Sequence, residues 1–185
     1  GIEAPIFAFT HCRDVVVAVS KAGGIGVLGA VGFSPAKLKE ELDWIDEHIG
    51  DHIYGVDTAI PQKYEGMDLT SPEELVEMLQ AAIPQQHRDF SEKLLADAGV
   101  PEWPEQDDEV SLSFSAVQAQ ALVDEALTRS KCRMIVNALG TPPAEIIKQV
   151  QDSGRLIGAL AGRLKHGIAH KNAGLDFVIC QGSEG

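Results

Sequence analysis

Basic side chains are scarce in this sequence: 15 Lys and Arg stand against 28 Asp and Glu, a formal net charge of −13. Such a chain has no cationic footprint for a phosphate backbone, which argues against nucleic acid as a partner. Cysteine is sparse as well. Cys12, Cys132 and Cys180 are odd in number and far apart, a usage that fits a reducing cytoplasm better than a disulfide framework. Long apolar runs are missing: the longest stretch without a charge, Ala22 to Ala36, is short and rich in glycine, so no membrane helix is predicted. The chain opens on Gly1 and lacks a basic-then-apolar leader. A trimmed or processed start, and no secretory signal, are therefore expected.

What is present suits a folded protein. The 185 residues are 44% hydrophobic and 23% charged, enough for one compact domain, or one domain with an insert, around a real core. The charge is uneven. Residues 1–60 carry a net −5, residues 61–131 a net −10 and residues 132–185 a net +2. The middle segment therefore reads as a separate, solvated element.

Short apolar runs alternate with helical patterns on both sides of that segment. Ala4–Phe9, Ile25–Ala30 and His52–Ala59 read as strands, as do Arg133–Leu139, Arg155–Leu160 and Asp176–Gln181. Asp14 is placed to cap a helix that Gly23 ends; Ser34-Pro35 opens another, with Leu38, Leu42, Ile45 and Ile49 at helical spacing and Gly50 as its stop. Pro142–Ser153 and Arg163–Ala173 complete the helices of the second half. From 61 to 131 only helices are predicted, with an acidic, proline-containing loop between 101 and 109. Six strands, apolar on both faces and separated by helices, belong to a parallel sheet covered by helices. An open doubly wound sheet and a TIM-type barrel both satisfy that pattern, and the pattern leaves the choice open.

Few residues stand out as chemistry. Gly24-Ile25-Gly26-Val27-Leu28-Gly29 spells G-x-G-x-x-G, but a dinucleotide fingerprint needs a strand before it and a helix after it. Here the order is reversed, so a helix stop followed by a closely packed strand is the better reading. His166 and His170 are four apart on a helix, a spacing open to a metal; with no third ligand nearby and lysines on both sides, a solvated face is expected. His11-Cys12 follows the first strand, where a barrel would carry its chemistry. Asp57 is a carboxylate in an apolar strand, costly without a partner. Gln181 ends the last strand with an amide that both donates and accepts.

Taken in order, these segments resemble the nitronate monooxygenase (2-nitropropane dioxygenase-like) family, flavin enzymes on a TIM barrel. The matching pieces are Pro5-Ile6-Phe7, the run from Ala18 to Gly29, and Tyr54-Gly55-Val56-Asp57. They continue with Gly140-Thr141-Pro142-Pro143, then Ala173-Gly174-Leu175-Asp176, leading to the run Gln181 to Gly185. The ordered set covers the chain outside the helical insert. His11-Cys12-Arg13-Asp14 resembles an actinobacterial-looking branch of that family.

The resemblance implies a parallel β/α barrel with six of eight strands present and a helical insert after the third. Strands one to three fall in 1–60, the acidic insert in 61–131, and strands four to six in 132–185, where the chain ends before strands seven and eight. It implies FMN as cofactor, held by Pro5, Ile6, Phe7, Asp57, Gln181 and Gly182. It implies a cytoplasmic flavoprotein monooxygenase oxidising an alkyl nitronate or nitroalkane with dioxygen. An enoyl-thioester reductase on the same scaffold, or a non-catalytic fragment needing a partner chain, are the alternatives. In the family the position of Asp57 is usually an Asn that contacts FMN; a carboxylate there disfavours the anionic reduced flavin unless protonated or paired. The family's base is a histidine beyond the point matching Gly185, so no catalytic residue is assigned within the chain. His11 is the remaining candidate, not expected to replace that histidine, and the chain alone is expected to be silent. A second copy or the remaining chain segment is expected at the open sheet edges. The acidic insert is expected to be a cap or partner surface, with Glu102, Glu105, Asp107, Asp108 and Glu109 facing solvent.

Overall fold

The repeated change from short β-branched runs to amphipathic helices is realised strand by strand. The structure is a computed structural model that describes residues 2–61, 72–101 and 116–182. The first half runs β1 (Phe7–Thr10), α1 (Arg13–Lys21), β2 (Ile25–Gly29), α2 (Pro35–His48) and β3 (Tyr54–Thr58). Three helices follow, α3 (Pro72–Ala81), α4 (Gln85–Asp97) and α5 (Ala116–Leu127). The chain then continues through β4 (Cys132–Asn137), α6 (Ala144–Asp152), β5 (Leu156–Ala161), α7 (Leu164–Asn172) and β6 (Phe177–Cys180).

The strands form one sheet in the order β1-β2-β3-β4-β5-β6, every neighbouring pair parallel. A doubly wound sheet reverses its strand order near the centre. This sheet adds each strand to the same side of the one before and curls into a half-barrel, which decides between the two architectures in favour of the TIM-like one.

The local signals are visible in the helix ends. Ser34 accepts a hydrogen bond from the Lys37 N–H at 3.1 Å, Pro35 is the first helical residue of α2, and Gly50 follows with φ 66°. At α1 the expected cap is corrected: the N-cap is Cys12, without a side-chain cap bond, and Asp14 lies in the first turn. There its charge still favours the helix N-terminus. The glycine-rich run has the predicted reversed order. Gly23 (φ 91°) ends α1, and a Cβ on Gly26 would lie 2.4 Å from the Val16 carbonyl oxygen. Only glycine lets α1 approach β2 this closely.

The main core lies between the outer face of the sheet and the helices. Leu28, Val56, Ile135 and Ile157 meet Val16 and Val17 of α1, Leu42 and Ile45 of α2, Leu122 and Val123 of α5, and Val150 of α6, all buried. Each such side chain contributes roughly 1.5–3 kcal/mol on burial. α5 packs on α2, β3 and β4, the place of a crossover helix between those strands. By contrast α4 has no buried residue, and Phe90, Leu94 and Leu95 are exposed. The five acidic residues between 102 and 109 lie outside the described residues. Among the described residues no helix is long and apolar enough to cross a membrane.

Candidate functional site on the concave face

Side chains alternate across a strand, so the residues between those of the core point the other way. Phe7 and Phe9 of β1, Val27 of β2, Met134 and Val136 of β4 and Phe177 of β6 line a concave cavity of about 1140 Å³. The walls are apolar, and the polar groups are few. Arg133 stands at the N-terminal end of the strands and donates to the Gly154 carbonyl at 3.0 Å. His11, Asp57 and Gln181 also line the cavity, and all three stand at the C-terminal ends of β1, β3 and β6. That is the end where β/α barrels place their chemistry.

Asp57 is the least expected group among them. It is 4% exposed, and its Oδ1 is buried without a hydrogen-bond partner among the described residues. Desolvation by burial pushes its carboxyl up to about 7, because an ionised carboxylate without a partner is costly in an apolar wall. The geometry around it comes from glycine. Gly29 of β2 is the register partner of Asp57, and His11 lies over it, with Nδ1 3.0 Å from the Gly29 carbonyl oxygen. The Phe9 ring meets the His11 imidazole edge to face, centroids 5.0 Å apart. A side chain on Gly29 would collide with both rings, since a Cβ there would be 2.6 Å from Phe9 and 2.7 Å from His11.

The cavity thus gathers Phe7, His11, Asp57 and Gln181 of the residues singled out from sequence. Pro5 and Ile6 precede β1, at the opposite end of that strand from His11, and are absent from the lining; the Ile6 carbonyl accepts from the Ile25 N–H at 2.9 Å. Gly182 is exposed, next to Gln181. Cys12 is exposed, and Arg13 turns away to α2, 4.7 Å over the Trp44 ring and 3.5 Å from Glu41. Arg13 is therefore committed elsewhere and supplies no argument for a reactive thiol. The Cys132 thiol is buried and pushed up to about 12 by desolvation, the environment of an inert core cysteine.

One polar residue escaped the sequence reading, and one was misplaced by it. Asn137 is fully buried at the end of β4. Its Oδ1 accepts from the Ile60 N–H at 2.7 Å, and its Nδ2 donates to the carbonyls of Ile60, Leu139 and Gly140 at 3.1, 3.1 and 2.9 Å. It ties the loops after β3 and β4 together at the rim of the cavity. The available signal was an amide in an apolar run, the same signal that singled out Asp57. His170 corrects the solvated-face expectation. It is 1% exposed, with Nε2 3.0 Å from the Leu160 carbonyl oxygen and Nδ1 2.9 Å from Thr141 Oγ1. The carbonyl only accepts, so Nε2 carries the proton and Thr141 donates to Nδ1. His166 stays exposed, and among the described residues no cluster of metal-binding side chains occurs.

Comparison with known proteins finds relatives that align along nearly the whole chain. No protein-family model matches the chain. A Mycobacterium tuberculosis protein named "Putative monooxygenase" is 41% identical over 187 aligned positions, covering 100% of this chain and 49% of that protein. A "Probable nitronate monooxygenase" of Staphylococcus saprophyticus is 27% identical, covering 92% of this chain and 42% of its own length. Among solved structures, nitroalkane oxidase from Streptomyces ansochromogenes superposes with a TM-score of 0.62 at 20% identity, over 99% of this chain and 46% of that one. FabK from Thermotoga maritima gives 0.61 at 19% identity, over 99% of this chain and 42% of that one. Both structures share the fold. The chain is thus a homologue of proteins named as nitronate monooxygenases, and it spans about half the length of the curated relatives it matches.

Proposed function

We propose that this chain forms the cofactor- and substrate-facing half-barrel of an FMN-dependent nitronate monooxygenase. The observation that carries the reading is the cavity of about 1140 Å³ whose polar groups His11, Asp57 and Gln181 stand together at the C-terminal strand ends. The residues suit a flavin. Apolar walls offer faces to a flat heteroaromatic ring, the orphaned Oδ1 of Asp57 lacks only a ligand partner, and the Gln181 amide offers a donor and an acceptor. When bound, FMN supplies the redox chemistry by which dioxygen oxidises a nitronate. The chain's own part is to bind and orient the ring through Phe7, Asp57, Gln181 and Gly182, with Pro5 and Ile6 setting the start of β1. Its apolar wall also keeps water from the reacting groups.

The division into strands one to three (1–60), an added helical layer (61–131) and strands four to six (132–185) is part of this proposal. So is the partner at the open edges of β1 and β6, and so is a cytoplasmic setting. The experiment is a flavin titration of the protein carrying this chain, followed by fluorescence quenching, with Gln181→Ala beside the wild type. At least about tenfold weaker FMN binding is expected, the scale of one lost ligand hydrogen bond. Equal affinity overturns the assignment. The same preparation tests nitronate against an enoyl thioester with a nicotinamide donor, and turnover of the second alone selects the reductase reading.

A further inference from the structure

Asp57 lines the cavity, and the wall around it gives its carboxyl no partner: Oδ1 is buried with no hydrogen bond among the described residues. Its register partners on the two adjacent strands are Gly29 of β2 and Val136 of β4, and neither has a side chain that can donate. The other polar groups facing the cavity are His11, Arg133 and Gln181. His11, at the end of β1, has Nδ1 3.0 Å from the Gly29 carbonyl oxygen; the carbonyl only accepts, so this nitrogen donates to the backbone. Arg133 of β4 is at the opposite end of the strands, bonded to the Gly154 carbonyl. Gln181, at the end of β6, is neutral. No neighbouring charge steadies an ionised Asp57, and burial alone pushes its carboxyl up to about 7.

That setting gives ligand binding and protonation a direction of coupling. An ionised carboxylate depends on the water that the open cavity brings to it. A ligand that fills the cavity removes that water, and an uncharged aromatic ring returns no positive charge. The neutral carboxyl loses far less, because its O–H can donate to an acceptor on the ring, as an amide N–H would. Filling the cavity and protonating Asp57 therefore favour each other.

We propose that Asp57 makes flavin binding in this cavity proton-linked: FMN is held with Asp57 neutral, and a free protein that carries the carboxylate takes up a proton as FMN binds. The inference rests on the flavin reading above and concerns only the proton of Asp57. That proton comes from the solvent and ends on the Asp57 carboxyl; no bond of the flavin or of a substrate changes. Below the titration of Asp57 the cavity is ready to fill. Above it, each further pH unit weakens binding by up to about tenfold, until the bound form itself ionises.

The test is calorimetric titration of FMN into the protein carrying this chain, at about pH 6 and about pH 8.5, for the wild type and Asp57→Asn. The FMN phosphate and His11 are common to both proteins, so the difference between them reports Asp57. At the lower pH the two dissociation constants should agree within about threefold, because an amide and a neutral carboxyl both offer a donor. Between the two pH values the wild-type constant should rise at least about tenfold more than that of the variant. Titrations at about pH 8 in two buffers of different ionisation enthalpy count protons, and the wild type should take up at least about 0.5 proton more than the variant. Equal rises in the two proteins, equal proton counts, or fewer protons taken up by the wild type overturn the proposal. If the variant does not fold, the wild-type count at about pH 8 decides by itself, and no uptake overturns the proposal. FMN binding to neither protein at the lower pH overturns the flavin reading and the linkage with it. Binding with one shared pH profile removes the linkage alone.

Discussion

The two faces of one six-stranded sheet are built from the same kinds of residue and end in opposite states. On the outer face Leu28, Val56, Ile135 and Ile157 are at most 1% exposed, covered by helices. On the inner face Phe7, Phe9 and Leu156 are more than half exposed. These exposed side chains line the same cavity as His11, Asp57 and Gln181. The outer face also allows no slack, since α1 touches the β2 backbone at Gly26. The inner face keeps a buried carboxyl oxygen, Asp57 Oδ1, with no hydrogen-bond partner among the described residues, which lowers stability. One face carries the main core, and the other lines the cavity.

The comparison breaks if the outer face tolerates bulk. Gly26→Val puts a Cβ 2.4 Å from the Val16 carbonyl oxygen, a backbone atom that cannot swing aside. A loss of more than about 3 kcal/mol is expected, read from urea unfolding midpoints. A loss below about 1 kcal/mol would mean that α1 is free to shift and that the tight face is not tight.

A second test uses the inner carboxyl. The folded-state value of Asp57 is raised from 3.8 to about 7, so the unfolded chain loses this proton first. Stability is therefore full below about pH 4 and declines as pH rises towards 7. At pH 8 Asp57→Asn is expected to be more stable than the wild type by on the order of 2–4 kcal/mol, with little difference at pH 4. Thermal unfolding of both proteins at the two values checks the sign. A wild type more stable at pH 8 would show that Asp57 is paired, and the inner face would lose its distinguishing feature.

The smallest effect expected is at Phe9. It is 57% exposed, so Phe9→Ala should change stability by no more than about 1 kcal/mol, against the 3–5 kcal/mol of a fully buried aromatic. Its ring also meets His11 edge to face on the cavity wall, and the measurement that sharpens the comparison is the denaturant midpoint set beside FMN affinity. Weaker FMN binding at unchanged stability puts Phe9 with the cavity rather than the core.

Much of this was legible in the residues. The helix stops at Gly23 and Gly50, the cap at Ser34 and the reversed G-x-G-x-x-G order needed no tertiary information, because each is set by one or two dihedrals or a single local hydrogen bond. Asp57 and Gln181 stood out as polar groups in apolar strands. His170 was noticed but placed on a solvated face, because lysines flank it in sequence while its partners, the Leu160 carbonyl and Thr141 Oγ1, come from other elements. Asn137 has partners in two loops, one of them 77 residues away in sequence. The arrangement of Pro5 and Ile6 relative to Asp57 was equally hidden, because it depends on where β1 starts.

The sequence by itself determined the alternation of strand and helix, the parallel sense of the sheet and the few polar residues able to do chemistry. Those are consequences of short-range rules: side-chain period, capping and the cost of a charge in an apolar run. Only the tertiary structure decided that the strands follow one another in order around a curl. It alone brought His11 over Gly29, the register partner of Asp57, and left Asp57 Oδ1 without a hydrogen-bond partner among the described residues. Strand order and side-chain juxtaposition depend on how helices of given bulk pack across the whole sheet, a sum over distant contacts that no local window contains.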